Sequence, residues 1–525
     1  MTFDTSSYLR DLFWLVPELW LTLVGFALLA ASPFIRDGAG RRAAAWASAA
    51  GQAVALALMF GLYAGVSGVF GPASADAPGA IYALQFAPGR PLLLIDGFAI
   101  VMKAVVLVAG ILATLMGIKL LETDRIGRGE FHAVLVFAVI GAMFLINSTD
   151  FITIFVGLET MSLSVYLLVG WAKDSRKSNE AALKYFLLGA FAGGLLLYGM
   201  SLAYGATGTT NLFGLQEALA AGTPEPARWL VTLAILFLVV GCGFKIAAVP
   251  FHVWTPDAYE GAPTLVTSFM ATAVKTAAFA MALRIFLIGF DAPATAAQWT
   301  WLFGILAALS MTVGNVIAVL QDNVKRMLAY SSIAHVGYAL MGLVAAGAAL
   351  AGWIPEPYRA QAIELGQFSV VLYMVAYAFT AAGAFAVVIM LRREGIQGDR
   401  IDDFSGMAGR APGTAAMMLV FLLSLAGIPA TAGFIGKWWL FASVLQGGGY
   451  RWLAVLAALN TAISLYYYLR VAVRMYMEIP AEELPYAVTP SLTAAVVLAA
   501  VGTLAIGLWP EPVLRLVSGT AQLLP

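Results

Sequence analysis

Thiols and imidazoles are almost missing from this chain of 525 residues, which has one cysteine and three histidines. The lone Cys242 closes no internal disulfide and cannot hold a thiolate-ligated cluster. The histidines stand on different segments and cannot supply two haems with two axial ligands each. Charge is scarce too: Asp, Glu, Lys and Arg make up 11% and the formal net charge is zero, so nothing points to nucleic acid. There is no Walker A loop, which removes local support for ATP-driven transport. The stretch "DGAGRRA", Asp37 to Ala43, fits G-x-G-x-x-A, but it lies between two apolar runs with no strand before it. It reads as a polar turn rather than a dinucleotide site.

What fills the space is apolar. Hydrophobic residues reach 61%, against about half in a soluble domain. Runs of the ~20 residues needed to cross a bilayer recur along the whole chain. The expected spans are 12–34, 43–68, 96–119, 131–148, 150–172, 180–205, 228–249, 263–288, 297–320, 327–351, 365–391, 414–445, 451–477 and 490–513. The fold class is therefore an all-α polytopic membrane protein with about fourteen transmembrane helices. The N-terminus has no basic n-region and no A-x-A site, and reads as a short tail and a first span rather than a signal peptide. The longest polar connections, 69–95, 206–227 and 392–413, are too small for a core of their own.

Lys and Arg are unevenly shared between alternate loops. With the N-terminus outside, inner loops carry Arg36, Arg41, Arg42, Lys119, Arg125, Arg128, Lys173, Arg176, Lys177, Lys325, Arg326, Arg392, Arg393, Arg400, Arg410, Arg470 and Arg474. The outer side carries Arg10, Arg90, Arg228, Arg284, Arg359, Arg451 and Arg515. Both termini then fall on the outer, periplasmic side.

The remaining charges fall inside spans, where an ionisable group costs about 3 kcal/mol and usually marks an ion or proton path. Glu159 follows Asp150 by nine residues, roughly 13 Å of helix, which sets it near mid-membrane. Lys275 lies mid-span, too far from either end to snorkel. Lys245 and Lys437 each sit beside a Pro and glycines: Gly241, Gly243 and Pro250 for the first, Gly427 and Pro429 for the second. Such spans are expected to break, and broken helices recur at transport sites. The run 414–445 would span ~48 Å if unbroken, too long for a ~30 Å core. His335 and His252 are candidate bridges between these groups, and Lys184 lies one turn into its span. Lys103 follows Asp96 by seven residues on one helix face and reads as that residue's structural partner. The pattern contains neither a metal-ligand cluster nor a nucleophile–base pair. Glu159, Lys245, Lys275 and Lys437 suggest a chain of titrating sites in which each charge shifts the next.

At these residues the sequence resembles subunit N of bacterial proton-pumping NADH:quinone oxidoreductase, respiratory complex I. The stretches that carry the likeness are "LETMSLSVYLLVGW", "KSNEAALKYFLLGAFAGGLLLYGMSLAYGATGTTNL", "FKIAAVPFHVWTPDAYEGAPT", "QDNVKRMLAYSSIAHVGYALMG" and "SLAGIPATAGFIGKWWLF". The resemblance implies two inverted five-helix repeats, helices 4–8 within 131–290 and helices 9–13 within 291–480, with helices 7 and 12 broken. Helices 1–3 would occupy 1–130 and helix 14 would lie in 481–525. It implies that Glu159 is the fifth-helix carboxylate, Lys245 the seventh-helix lysine, Lys275 the eighth-helix lysine and Lys437 the twelfth-helix lysine. Val274 stands where the family has a proline, so a straighter eighth helix is expected there. The long form of the superfamily carries a lateral helix after helix 14; the likeness here is to the shorter form.

The implied role is a proton-translocating membrane-arm subunit of the bacterial inner membrane, with no cofactor or metal of its own. NAD, FMN, iron–sulfur clusters and quinone would be held by partner subunits. The implied partners are antiporter-like paralogues and small membrane subunits. A cation/proton antiporter subunit of the related multisubunit family is the alternative. A plain membrane scaffold is a third reading, disfavoured because a scaffold gains nothing from costly buried charges.

Overall fold

Hydrocarbon offers no water to a peptide group, so each long apolar run folds as a helix that satisfies its own backbone. The computed structural model describes residues 11–35, 37–63, 80–87, 89–124, 126–127, 129–222, 224–392, 398–446, 450–479 and 489–518. The expected loop charges Arg10, Arg36, Arg125, Arg128 and Arg393 lie outside the described residues.

The helices are α1 (Val16–Ala31), α2 (Gly38–Tyr63), α3 (Gly97–Thr123), α4 (Phe131–Asn147), α5 (Phe151–Val169), α6 (Arg176–Thr207), α7 (Leu212–Ala220) and α8 (Glu225–Ile246). They continue as α9 (Thr255–Gly261), α10 (Thr264–Phe269), α11 (Lys275–Arg284), α12 (Pro293–Val319), α13 (Val324–Leu350) and α14 (Arg359–Met390). The last are α15 (Pro412–Ala426), α16 (Ala432–Gln446), α17 (Arg451–Met477), α18 (Pro490–Leu508) and α19 (Glu511–Ser518). Among the described residues, 12 helices are long and apolar enough to cross a membrane. Two shorter apolar helices, Phe131–Asn147 and Pro412–Ala426, fall on two further expected spans.

Three expected connections or straight segments prove to be structured. From the connection 69–95 an antiparallel hairpin forms, pairing β1 (Ala80–Ala87) with β2 (Arg90–Asp96), Ala80 opposite Asp96, with an irregularity between Gln85 and Ala87. Within 206–227 lies α7, capped by Asn211, whose side chain accepts from Phe213 N and Gly214 N. The segment before Lys275 is not a plain α-helix: a π-helical turn, Met270–Val274, precedes it, and another, Ile285–Gly289, follows α11. An inserted residue widens the ladder without a proline, and such turns occur often at functional sites.

The "DGAGRRA" segment opens α2, with Asp37 Oδ1 accepting from Gly40 N at 2.9 Å. A short acidic side chain that satisfies an orphan amide starts a helix, and that accounts for the motif.

The two faces of the bundle differ. At one, the hairpin packs beside the loops at 148–150 and 208–212: Thr149 N bonds Leu92 O, and Asn211 Nδ2 bonds Pro91 O at 2.6 Å. The other is basic, and its ion pairs join separate helices: Lys177–Glu260 2.8 Å, Arg326–Glu260 2.8 Å and Arg392–Asp124 2.7 Å. Arg284 is not among the surface charges as the loop count had it. It is fully buried, with its guanidinium on Asp96 at 2.7 and 2.8 Å.

Small residues bring helices into contact. A Cβ on Gly141 would lie 2.3 Å from Met161 N, and one on Gly157 2.8 Å from Leu145 N, so α4 and α5 touch backbone to backbone. Gly141→Val is expected to destabilise the chain by about 1–3 kcal/mol through overpacking. The check is the temperature at which the assembled subunit is lost from membranes.

Candidate functional site

Both expected breaks are present, each with backbone in the left-handed region. After α8, Ala247 has φ 65°; between α15 and α16, Gly427 has φ 89° and Ala430 φ 67°. The freed backbone groups find partners. Trp254 Nε1 donates to Phe244 O at 3.2 Å, and Ser310 Oγ accepts from Val249 N at 2.9 Å. Ser424 Oγ accepts from Gly433 N at 2.9 Å. Irregular backbone survives at this depth because protein covers it.

The two lysines use their breaks differently. Lys245 ends the helix before its break and turns away from the freed carbonyls. Its ammonium donates to Ser162 Oγ at 2.8 Å and Tyr166 OH at 3.2 Å, both on α5. Lys437 follows its break and donates to the carbonyls of Leu425 and Ala426, at 3.1 and 3.0 Å. Its ammonium also lies 4.7 Å from the Tyr338 ring centre.

Lys275, on α11, donates to Ser332 O at 3.0 Å and closely to Ser332 Oγ, both on α13. His335, one turn further along α13, bonds Tyr373 OH through Nδ1 and Tyr468 OH through Nε2, the latter at 3.1 Å. A cavity of about 10 Å³, lined by Lys275, Ser332, His335 and Tyr373 among others, lies between the two groups. That is near the space one water needs, ~10–15 Å³. Lys245, Lys275, His335 and Lys437 are all nearly inaccessible, at 2%, 3%, 6% and 5%. The structure thus sets four buried cationic or imidazole groups on α8, α11, α13 and α16.

Glu159 lies on α5 one turn before Ser162 and is only half-buried. A Cβ on Gly193 of α6 would sit 3.3 Å from its Oε1, so a glycine makes room for the carboxylate. Glu159 has no ion pair within 4.0 Å among the described residues; Ser162 and Tyr166, which bond Lys245, follow it on α5 by three and seven residues.

Two expected members fall elsewhere. Lys184 is not buried in this row: its side chain is 44% exposed at the basic face and pairs with Glu180 at 2.6 Å and Asp257 at 2.8 Å. A lysine one turn from the helix end reaches water and acids there. His252 lies half-buried in the break after α8, and no hydrogen bond links it to Lys245 or Lys275 among the described residues.

Lys103 is also not the partner of Asp96. It pairs at 3.0 Å with Glu18, and both are fully buried, while Asp96 belongs to Arg284. Glu18 was missed, although a lone acid in an apolar run is the same signal that singled out Glu159. The hydroxyls of Ser162, Tyr166, Ser332, Tyr373 and Tyr468 were missed as well, and no pattern distinguishes them from the other serines and tyrosines.

At the basic face a cavity of about 290 Å³ is lined by Asp124, Lys177, Glu260, Lys325 and Arg392 among others. Lys325 donates to Glu260 O and Ala262 O at 2.9 and 2.7 Å, which holds the end of α9. Burial raises the Asp124 carboxyl above its ordinary range, against the opposing pull of Arg392 beside it. Chemically, the row offers titratable groups, each bonded to hydroxyls or backbone carbonyls. Among the described residues no cluster of His, Cys, Asp and Glu suits a metal.

A family model described as NADH:quinone oxidoreductase/Mrp antiporter, TM, matches residues 148–464. The chain is 46% identical to "NADH-quinone oxidoreductase subunit N 1" of Koribacter versatilis, over 82% of each chain. It is 40% identical to "NADH-quinone oxidoreductase subunit N" of Trichlorobacter lovleyi, over 97% of each. Among solved structures, a chain of respiratory complex I from Thermus thermophilus with bound aureothin is similar at TM-score 0.74 and 34% identity, covering 95% of this chain and 98% of that one.

Proposed function

This chain belongs to the NADH:quinone oxidoreductase/Mrp antiporter membrane family, and from that premise we propose that it is the proton-translocating N subunit of an NADH:quinone oxidoreductase. It spans the bilayer about fourteen times, in two inverted five-helix repeats, with both termini on the periplasmic side and the basic face in the cytoplasm. The Lys/Arg bias supports that orientation. Electrons pass through partner subunits that hold NAD, FMN, iron–sulfur clusters and quinone. This chain moves protons through Glu159, Lys245, Lys275, His335 and Lys437, and its neighbours are the other membrane-arm subunits.

One observation carries the reading: buried lysines on three separate helices, α8, α11 and α16, each held by hydroxyls or carbonyls, with no carboxylate within 4.0 Å among the described residues. A structural ion pair would satisfy these charges with a fixed acid. Hydroxyl and carbonyl partners accept a hydrogen bond from the ammonium and leave it free to give up a proton. A proton reaching Glu159 is passed by way of Ser162 and Tyr166 to Lys245. Charge there repels charge at Lys275, which drives the next transfer towards His335 and Lys437. Lys184 serves the basic-face mouth through Asp257, and His252 borders the break.

The test is genetic. Cells deleted for this chain are complemented with the native protein or with Glu159→Gln, and NADH-driven acidification is followed in membrane vesicles at equal amounts of assembled complex. Native protein restores it and Glu159→Gln restores little. Equal restoration would remove Glu159 from the path. Sodium- or potassium-driven collapse of a pH gradient without NADH, by the isolated protein, would favour the antiporter alternative instead.

A further inference from the structure

One face of α3 meets buried polar groups along its length. Lys103, Gly110, Thr114, Gly117 and Leu121 follow at steps of seven, four, three and four residues, which stack on one side of a helix. At the hairpin end, Lys103 Nζ and Asn147 Nδ2 both donate to Glu18 Oε1 at 3.0 Å. In the middle, Gln52 Nε2 donates to Ser48 Oγ at 3.2 Å and Thr114 Oγ1 at 3.1 Å. Gly110 admits the same amide, since a Cβ there would lie 2.1 Å from Gln52 Oε1. Further on, His132 Cε1 lies 3.8 Å from the Cβ position of Gly117. At the basic end stand Asp124 and Arg392, which border the 290 Å³ cavity.

Each of the first three stations has a buried polar atom without a hydrogen-bond partner among the described residues. These are Glu18 Oε2 and Asn147 Oδ1, then Gln52 Oε1, then His132 Nδ1. Glu18, Gln52 and Asn147 are fully inaccessible and His132 is 4% exposed. An orphaned buried acceptor costs about 1–3 kcal/mol. Helix-packing polar groups that served only as glue would satisfy one another. Water, which donates twice, suits every one of these atoms. From Lys103 to Asp124 the helix rises about 30 Å, the thickness of the hydrocarbon core. Apart from Arg392 at the basic end, the residues named along this face lie outside the 148–464 segment that the family model matches. Asp96 and Arg284 are locked on each other; Arg284 also donates to Ile146 O at 3.3 Å, one residue before Asn147.

We propose that this face of α3 is a second hydrated track across the bundle, separate from the lysine row, along which protons pass between the basic-face cavity and the Glu18–Lys103 pair. An excess proton on a water of the track forms an O–H bond at Glu18 Oε2 as one O–H bond of that protonated water breaks, which leaves neutral water behind. Lys103 remains an ammonium, and release to water at the hairpin face reverses the step. The proposal takes its driving force from the proton-translocating reading above.

Two measurements on the intact complex decide it. A density map that resolves water is expected to show water within hydrogen-bond distance of Glu18 Oε2, Gln52 Oε1 and His132 Nδ1; dry stations would overturn the track. Gln52→Leu, which plugs the middle station with a side chain of similar size, is expected to lower the protons moved per electron pair. An unchanged ratio in assembled complex refutes transport along α3. Should Gln52→Leu fail to assemble, Thr114→Val is read in the same way. If Lys245→Met left the ratio unchanged, the lysine row would fail while the water map still decided the track.

Discussion

Lys245→Met is expected to cut NADH-driven proton transfer at least tenfold, equivalent to about 1.4 kcal/mol of added barrier. The side chain is 2% exposed and forms the link between α5, which carries Glu159, and the helix break. Methionine keeps the length and most of the volume, so packing changes little. What disappears is a group able to accept a proton from the α5 hydroxyls. Lys245→Arg sharpens the test. Guanidinium keeps the charge and the donors but does not deprotonate in proteins. If titration matters, arginine fails almost as badly as methionine; if only positive charge matters, arginine works. The readout is the initial rate of acidification in sealed vesicles, normalised to assembled complex. Native-like pumping by the arginine variant would show that Lys245 is an electrostatic fixture.

Arg284→Leu is expected to be the most damaging structural substitution. The guanidinium is fully buried and grips both Asp96 oxygens, at 2.7 and 2.8 Å. It also donates to Ile146 O and Leu94 O and lies 4.9 Å from the Phe98 ring centre. It thereby ties α11 to the hairpin, α3 and α4. Removing one member of a buried pair strands the other, at about 3–5 kcal/mol. A chain this size inserts but loses its folded, assembled form on mild heating. The double variant Arg284→Leu with Asp96→Asn removes the stranded carboxylate and is expected to recover part of the loss. Thermal-challenge assembly assays compare the three proteins; equal stability of the single variant and the native chain would mean the pair contributes nothing.

These two residues also show where sequence reading succeeds and where it stops. Lys245 was legible because a lone ammonium in an apolar run is rare, and because Pro250 and neighbouring glycines announce a break. The long spans were legible for the same kind of reason: hydrocarbon leaves the backbone few options. Arg284 was read as a surface charge because it stands near a span end, and only its partner reveals its burial. Periodicity relates residues within one helix and is silent about partners on another. That is why Lys103 was matched with Asp96, seven residues away, when Glu18 comes to it from another helix. The π-helical turn before Lys275 has no compositional mark; Val274 in place of a proline suggested straightness, and the ladder widened instead. Lys184 was read by depth alone; it lies near its helix end and pairs with Glu180 on its own helix and Asp257 on another.

The central claim is that proton gain and loss at the buried lysines carries H⁺ through the bundle. Its most direct test is the number of protons moved per pair of electrons from NADH, in sealed vesicles containing the intact complex, native against Lys275→Met. Lys275 is 3% exposed and stands beside the small cavity it shares with His335. A lower ratio is expected for the variant with the complex fully assembled. The same ratio in both would contradict it.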